Sequence, residues 1–88
     1  MPDSMNIEKT GEFDKDTKKL TVKERQRLDE IISGIAHSGK KGKRLHHLKD
    51  VLSIRIDNKR LVYQVIEKED KLILLMFKSR ADVYTYLR

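Results

Sequence analysis

The feature that most constrains this chain is a change in the spacing of its apolar residues, from a helical period to a period of two. In the first half they recur at the i, i+3, i+4, i+7 spacing of one helix face, at Leu28, Ile31, Ile32 and Ile35. In the second half they alternate with polar residues as in half-buried strands, at Leu52, Ile54, Ile56, Leu61, Tyr63 and Val65. Because helical and strand patterns occupy separate halves, we predict an α+β fold rather than repeated βαβ units.

Two capping patterns mark where helices begin. Thr21 and Glu24 have the capping-box spacing, in which each side chain accepts a hydrogen bond from the other residue's backbone N–H. Ser79 and Asp82 repeat this pattern just before the end of the chain. We therefore predict a long helix after Thr21 and a short C-terminal helix after Ser79.

The complete predicted order is β-α-α-β-β-β-α. Residues 5–10 are expected to form an edge strand, and residues 40–49, which contain one of the four glycines and five Lys/Arg residues, a basic loop. Residues 71–78 read as a buried strand. The expected architecture is two N-terminal helices packed on one face of a small, mainly antiparallel sheet, with a short C-terminal helix.

Several classes of protein are excluded by composition. The sequence has no cysteine, so disulfide frameworks and thiolate metal sites are ruled out. The longest apolar run, residues 72–77, is far shorter than the roughly 20 residues of a membrane-spanning helix. The N-terminus lacks the features of a signal peptide. We expect a cytoplasmic protein of one domain spanning residues 1–88, with residues 1–4 as a disordered lead-in.

The positive charge is concentrated in the second part of the chain. Residues 1–30 hold seven Lys/Arg and eight Asp/Glu, whereas residues 31–88 hold thirteen and six, and the net charge is +6. Such an asymmetry indicates a phosphate-rich or acidic partner. Positive charge that serves only solubility is the alternative.

A hairpin over residues 53–65 carries two arginines of interest. If the helices cover its apolar face, parity predicts a two-residue turn at Asn58-Lys59. Asp57 would then lie opposite Arg60 and hold it by an ion pair, and Arg55 would lie opposite Val62. Both arginines are expected on the sheet face away from the helices, which is an ordinary solvated face unless it binds an anion.

Two residues of the C-terminal helix are predicted to join these arginines. Arg80 lies in its first turn, and Tyr84 follows four residues later on the same side. Guanidinium groups beside a partly exposed aromatic ring are typical of single-stranded nucleic-acid sites, where phosphates pair with arginine and bases stack on the ring.

These segments together resemble the RelE/ParE superfamily of toxins from toxin–antitoxin modules. The resemblance runs from "EFDKDTKKL" to "RADVYTYL" and is most specific at "RLVYQV" and "SRADVY"; "GKRLHHLKDVLSIRI" is similar to the YoeB and YafQ branches. Members of the RelE branch cut mRNA on the ribosome. The resemblance implies metal-independent attack of a ribose 2′-OH on its own 3′ phosphate, with no cofactor.

The resemblance also assigns site residues. Arg55, Arg60 and Arg80 are expected to bind phosphate and stabilise transition-state charge. Arg80 matches the C-terminal arginine of the family, and Lys78 is the alternative match for that position. Tyr84 is expected to stack on a base. Further RNA contacts are expected from Lys41, Lys43, Arg44, Lys49 and Lys78.

The residues do not identify one general base. Ser53 stands where the RelE branch has a lysine, and a permanently protonated arginine is a poor base. His46, two residues before Leu48, matches a Glu or His of the YoeB and YafQ branches, and histidine is a chemically suitable base near neutral pH. His46 and His47 are otherwise polar loop residues, and zinc binding with His37 lacks a suitably spaced fourth ligand.

Two further functions stay open. ParE-type relatives have the same fold and poison DNA gyrase, although the three arginines and the tyrosine favour the ribonuclease. The second is a degenerate toxin that binds RNA or an antitoxin without cutting. This function stays open because Ser53 replaces the lysine of the RelE branch. The partners implied by the resemblance are an antitoxin, the ribosome and mRNA. The antitoxin is expected to cover Arg55, Arg60 or Arg80, or to displace the last helix.

Overall fold

The computed structural model describes residues 5–38, 43–44 and 51–87, and its elements confirm the α+β prediction. In chain order they are β1 (Asn6–Lys9), α1 (Gly11–Thr17), α2 (Val22–Ser38), β2 (Lys43–Arg44), β3 (Val51–Ile56), β4 (Lys59–Ile66), a 3-10 turn (Glu67–Glu69), β5 (Lys71–Ser79) and α3 (Arg80–Leu87). The predicted order differs at β2, where two residues of the expected basic loop pair with β3. None of the described helices is long and apolar enough to cross a membrane.

Within the described residues the strands form one sheet in the order β1-β5-β4-β3-β2. β1 runs parallel to β5, and every other neighbouring pair is antiparallel. The ladder between β4 and β5 shifts register between Val62 and Tyr63. Such a bulge increases the local twist of the strand, here in the half of the sheet that leads to α3.

The helices cover both faces of this sheet. On one face, α1 and α2 bury the main core against the strands; its fully buried members include Phe13, Leu28, Ile35, Leu61, Tyr63, Leu72 and Leu74. On the other face, Val83 of α3 packs with Val51, Val62 and Met76. The two N-terminal helices therefore share one face, as predicted, and α3 lies on the face that carries the arginines.

α1 completes the hydrogen bonding of β5 where β1 ends. β1 pairs with β5 only as far as Leu74. Beyond it, the Thr10 hydroxyl donates to the Leu75 carbonyl at 2.7 Å, and the Phe77 N–H donates to Asp16 at 3.0 Å. Because unpaired buried backbone groups are costly, these side chains fix α1 against the open edge of the strand.

Both predicted helix starts have capping hydrogen bonds. The Glu24 N–H donates to the Thr21 hydroxyl at 3.1 Å and the Thr21 N–H to the Glu24 carboxylate at 2.9 Å, which confirms the capping box. The N–H of Thr21 thereby holds the pKa of Glu24 below its ordinary value. At α3 the Asp82 N–H donates to the Ser79 hydroxyl at 3.3 Å.

The predicted register of the β3–β4 hairpin is wrong, although its faces are right. The turn is Asp57-Asn58, and Arg55 lies opposite Arg60 instead of Val62. A one-residue slip would exchange the two faces of a strand. The observed pairing differs from the predicted one by two residues, so each side chain stays on the predicted face.

The predicted ion pair between Asp57 and Arg60 is therefore also wrong. Asp57 begins the turn with φ of 58°, in the left-handed region that aspartate tolerates better than most residues. Its carboxylate lies 3.6 Å from the guanidinium of Arg27 on α2. This contact between the turn and the helix layer could not be read from the hairpin sequence.

Substitution of Thr10 tests the junction between α1 and β5. Thr10→Ala removes both the bond to the Leu75 carbonyl and the capping bond from the Phe13 N–H. We expect the free energy of unfolding, measured by urea denaturation, to fall by about 2 kcal/mol. Thr10→Ser retains the hydroxyl and should stay within about 1 kcal/mol of the wild type. Equal losses in the two variants would contradict this assignment.

Candidate functional site

The turn of the β3–β4 hairpin and the start of α3 enclose a positively charged cleft. It has a volume of about 200 Å³ and is lined by Arg55, Asn58, Lys59, Arg60 and Arg80. The end of β5 leads directly into α3 and so brings Arg80 to the hairpin, 20 residues away along the chain. The three arginines predicted as site residues are therefore brought together.

Arg55 and Arg60 are paired residues of neighbouring strands, and each guanidinium group is oriented by a hydrogen bond. Arg55 Nε donates to the Asp57 carbonyl at 3.1 Å, and Arg60 Nη1 donates to the Ser53 hydroxyl at 3.3 Å. Like charges directly opposite each other destabilise a sheet by roughly 0.2–1 kcal/mol. An anion between the two guanidinium groups would remove this repulsion.

Ser53 is buried, with an exposed fraction of 3 %. Its hydroxyl accepts from Arg60 and is not presented to the cleft, whose lining does not include it among the described residues. The serine at the position where the resemblance expects a lysine thus orients an arginine.

Arg80 and Tyr84 lie together on α3, as their four-residue spacing predicts. The Arg80 guanidinium carbon is 5.8 Å from the centroid of the Tyr84 ring, within the range of a cation–π contact. The tyrosine is 44 % exposed. Its ring is accessible beside the cleft and could stack on a planar group.

The charged residues that line the cleft are all positive among those described. Of the described residues that line it, four are cationic and none is acidic. The Lys59 ammonium lies 5.4 Å from the centroid of the Phe77 ring, which belongs to the core on the opposite face of the sheet, so the three arginines supply the charge of the cleft. With no carboxylate to neutralise them, these groups form a site for an anion with several oxygen atoms, such as a phosphodiester.

A larger groove lies on the opposite side of the hairpin, toward α2. It measures about 450 Å³, and its floor includes Ile56 and Phe77. Its charged lining is mixed, with Lys23, Arg27 and Lys59 against Glu24, Glu30 and Asp57. The groove has no net formal charge from these residues, so it is a poorer candidate for a nucleic-acid site than the arginine cleft.

Lys78 is placed differently from the arginines. It lies opposite Arg60 in the sheet, but its ammonium contacts Glu12 and Asp16 of α1 and it is not among the described residues that line the cleft. Its predicted contact with RNA remains a prediction.

The other predicted residues come from the segment between α2 and β3. Lys41, His46, His47 and Lys49 lie outside the described residues, and for Lys43 and Arg44 only the backbone, in β2, is described. The third histidine of the zinc alternative, His37, lies on α2 with Nδ1 3.0 Å from the Ser33 carbonyl oxygen.

Sequence reasoning missed two groups of residues at this end of the molecule. Asn58 and Lys59 were predicted only as turn residues, and both line the cleft. Glu12 and Asp16 reach Lys78 from more than 60 positions away, and no local pattern signals that contact.

Comparison with solved structures shows a shared fold. The chain is similar to the isolated Escherichia coli RelE toxin, with a TM-score of 0.76 and 22% identity over 96% of this chain and 95% of that one. It is also similar to the RelBE2 toxin–antitoxin complex from Mycobacterium tuberculosis, with a TM-score of 0.74 and 20% identity over 88% of this chain and 99% of that one. A metal-bound toxin from Helicobacter pylori has a TM-score of 0.76 and 25% identity over 90% of this chain and 98% of that one. No family model matches the chain, and no curated protein matches it by sequence.

Polyvalent anions should stabilise the protein through the cleft. We expect inorganic pyrophosphate to raise the midpoint of thermal unfolding above that in sodium chloride of equal ionic strength, because it binds the folded state. At ten times its Kd the gain would be about 1.4 kcal/mol. Arg60→Gln should remove most of this gain, whereas Lys68→Gln, an exposed lysine in the 3-10 turn, should keep it. Equal gains in both variants would argue against the cleft as the anion site.

Proposed function

We propose that this chain, which has the RelE toxin fold, is the toxin of a type II toxin–antitoxin module and cuts mRNA on the ribosome. The observation that carries the proposal is the convergence of three arginines on one cleft beside an exposed tyrosine ring. The fold alone would be compatible with several activities. The chemistry of the cleft makes single-stranded RNA the favoured substrate.

The proposed reaction is an in-line displacement at phosphorus. The 2′-oxygen of a ribose attacks the adjacent 3′ phosphate while the bond from phosphorus to the 5′ oxygen of the next nucleotide breaks. The products are a 2′,3′-cyclic phosphate and a free 5′-OH, and the proton lost by the 2′-OH is balanced by the one that the leaving oxygen gains. The transition state carries an additional negative charge on its phosphate oxygens, which fixed cations stabilise.

Arg55, Arg60 and Arg80 supply these cations. Arg55 and Arg60 would contact the scissile phosphate from β3 and β4, since they are paired in register and both line the cleft. Arg80 would contact it from α3. A guanidinium group can donate two parallel hydrogen bonds to phosphate oxygens, which positions the phosphorus as well as neutralising charge.

Tyr84 would stack on a base next to the scissile bond. Stacking orients the nucleotide, so that its 2′-oxygen lies in line with the bond that breaks. It does not select a particular base, because every base has a π face.

The general base is assigned to His46. The described lining of the cleft offers arginine, lysine and asparagine, none of which is a base near neutral pH without a strongly shifted pKa. An imidazole has the required pKa. His46 lies outside the described residues, and its role rests on its match to the YoeB and YafQ branches.

Binding of RNA without cleavage is the second candidate function. It is favoured by one observation: Ser53 is buried and bonded to Arg60, so the position of the family lysine contributes no base. Gyrase inhibition of the ParE type has no comparable support from the cleft and enters as an outcome of the experiment below.

An antitoxin is the expected protein partner. The similarity to RelBE2, a toxin–antitoxin complex, supports this proposal. A net charge of +6 and a cleft without acidic residues in its described lining would attract an acidic segment of such a partner.

Cleavage on translating ribosomes tests the proposed reaction. We expect the wild-type protein to cut mRNA at codon-phased positions, mapped by sequencing of 5′ ends. Arg60→Ala or Arg80→Ala should lower the initial rate by at least about 100-fold, because each removes a group that stabilises transition-state charge. Tyr84→Ala should lower it by about 10-fold or more, whereas Tyr84→Phe keeps the ring and should stay near the wild-type rate.

Lys68→Ala is the control, since it removes an exposed cation from the 3-10 turn. Intact mRNA with RNA binding that depends on Arg60 would favour the binder. Intact mRNA together with linearised plasmid in a gyrase assay would favour the ParE-type function.

The antitoxin should protect the cleft. In a complex with the antitoxin encoded by a neighbouring gene, we expect amide hydrogen exchange to slow in β3 and β4 around Arg55 and Arg60, or to quicken in α3 if that helix is displaced. In the first case the antitoxin covers the cleft. In the second case it removes Arg80 and Tyr84 from the cleft. Unchanged exchange in all three elements of a stable complex would contradict the prediction.

A further inference from the structure

A row of three cations crosses the sheet, but only two of them reach the cleft. Arg55 lies opposite Arg60, and Arg60 lies opposite Lys78. Residues directly opposite each other in antiparallel strands project from the same face. Lys78 therefore starts from the same face as the two arginines, yet it is not among the described residues that line the cleft.

The reason is a pair of carboxylates on α1. Lys78 Nζ lies 2.8 Å from Asp16 Oδ1 and also contacts Glu12 Oε2. Glu12 and Asp16 are four residues apart, which places them on the same side of the helix. The three side chains are largely buried, with exposed fractions of 17 %, 24 % and 11 % for Lys78, Glu12 and Asp16.

The contact is held by its neighbours. The second oxygen of Asp16 accepts the Phe77 N–H at 3.0 Å, so that carboxylate cannot follow Lys78 without breaking a backbone bond. Lys78 Nζ also lies 5.3 Å from the centroid of the Tyr86 ring on α3. The ammonium is thus enclosed by α1 on one side and α3 on another.

The electrostatic result is a lysine whose charge is cancelled locally. Burial by itself depresses the pKa of Lys78, but the hydrogen bonds and charges of Asp16 and Glu12 outweigh it, so the pKa lies above its ordinary value. The lysine is therefore charged at neutral pH. Together the three groups carry a formal charge of −1, and the lysine adds no net positive potential to the cleft.

We propose that Glu12 and Asp16 are positioning residues that hold Lys78 at the edge of the sheet and withhold it from the RNA. The inference rests on the proposed RNA site and deepens it. RNA is bound through the arginines, while Lys78, in the same row, stays paired with the two carboxylates and does not contact RNA. Loss of the two negative charges releases the ammonium toward the phosphate beside Arg60. The acid pair thereby limits how tightly the protein holds RNA.

The test is the double variant Glu12→Gln/Asp16→Asn. The amides keep the size of the side chains, and an asparagine oxygen can still accept the Phe77 N–H. Binding is measured by fluorescence anisotropy with a short single-stranded RNA whose 2′-O-methyl groups prevent cleavage. We expect affinity to rise by about 3–10-fold at low salt, and the slope of log K against log salt to steepen by about 0.7, the contribution of one added phosphate contact.

Two matched controls separate Lys78 from overall charge. Asp29→Asn/Glu30→Gln makes the same change in net charge at exposed positions of α2 and should give a smaller gain with no added contact. Lys78→Gln, added to the double variant, should abolish the gain. A gain that equals the α2 control, or that persists without Lys78, overturns the inference, as does weaker binding by the double variant.

The proposed RNA site is judged separately, by Arg60→Ala and Arg80→Ala in the same assay. If these variants bind as the wild type does, or if the wild type does not bind, the proposed site fails and the inference falls with it. If they bind weakly while the double variant matches the α2 control, the site stands and the inference alone fails. If the double variant does not fold, Glu12→Gln is used, with about half of the gain expected on a logarithmic scale.

Discussion

The fold depends on completing the hydrogen bonds of β5. This strand lies between β1 and β4 and has core residues on both faces, so its backbone groups need partners within the protein. β1 pairs with only its first four residues, and beyond them the Thr10 and Asp16 side chains each bond one backbone group of the strand. The same strand continues into α3. The position of β5 therefore fixes both α1, which bonds to it, and the candidate site, which α3 completes.

The candidate site is built where this framework ends, and its composition opposes local stability. Arg55 and Arg60 are paired in register, and Arg80 is added from α3. The repulsion is tolerated because the Asp57 carbonyl and the Ser53 hydroxyl each accept a hydrogen bond from one guanidinium group. Pairs of like charge that a rigid framework holds together are typical of anion sites, since the ligand supplies the missing counter-charge.

The sequence predicted which faces the hairpin residues occupy but not their partners. Alternation has a period of two, so it separates Arg55 and Arg60 from the core residues whether or not the strands slip by two positions. The register depends on which residue can adopt the left-handed conformation at the turn, and Asp57 does so while paired with Arg27 of α2. That choice involves the helix layer. The hairpin sequence alone contains too little information for it, as the wrong Asn58-Lys59 turn shows.

By itself, the sequence determined the features that local interactions decide. The capping box at Thr21, the capping bond at Ser79, the apolar face of α2, and the shared side of Arg80 and Tyr84 all involve residues within one or two helical turns of each other. Only the tertiary structure decided which cations face the cleft. Lys78 belongs to the same row as the arginines but pairs with Glu12 and Asp16, 66 and 62 positions away. A charged side chain goes to the partner that packing brings within reach, and spacing along the chain does not encode that distance.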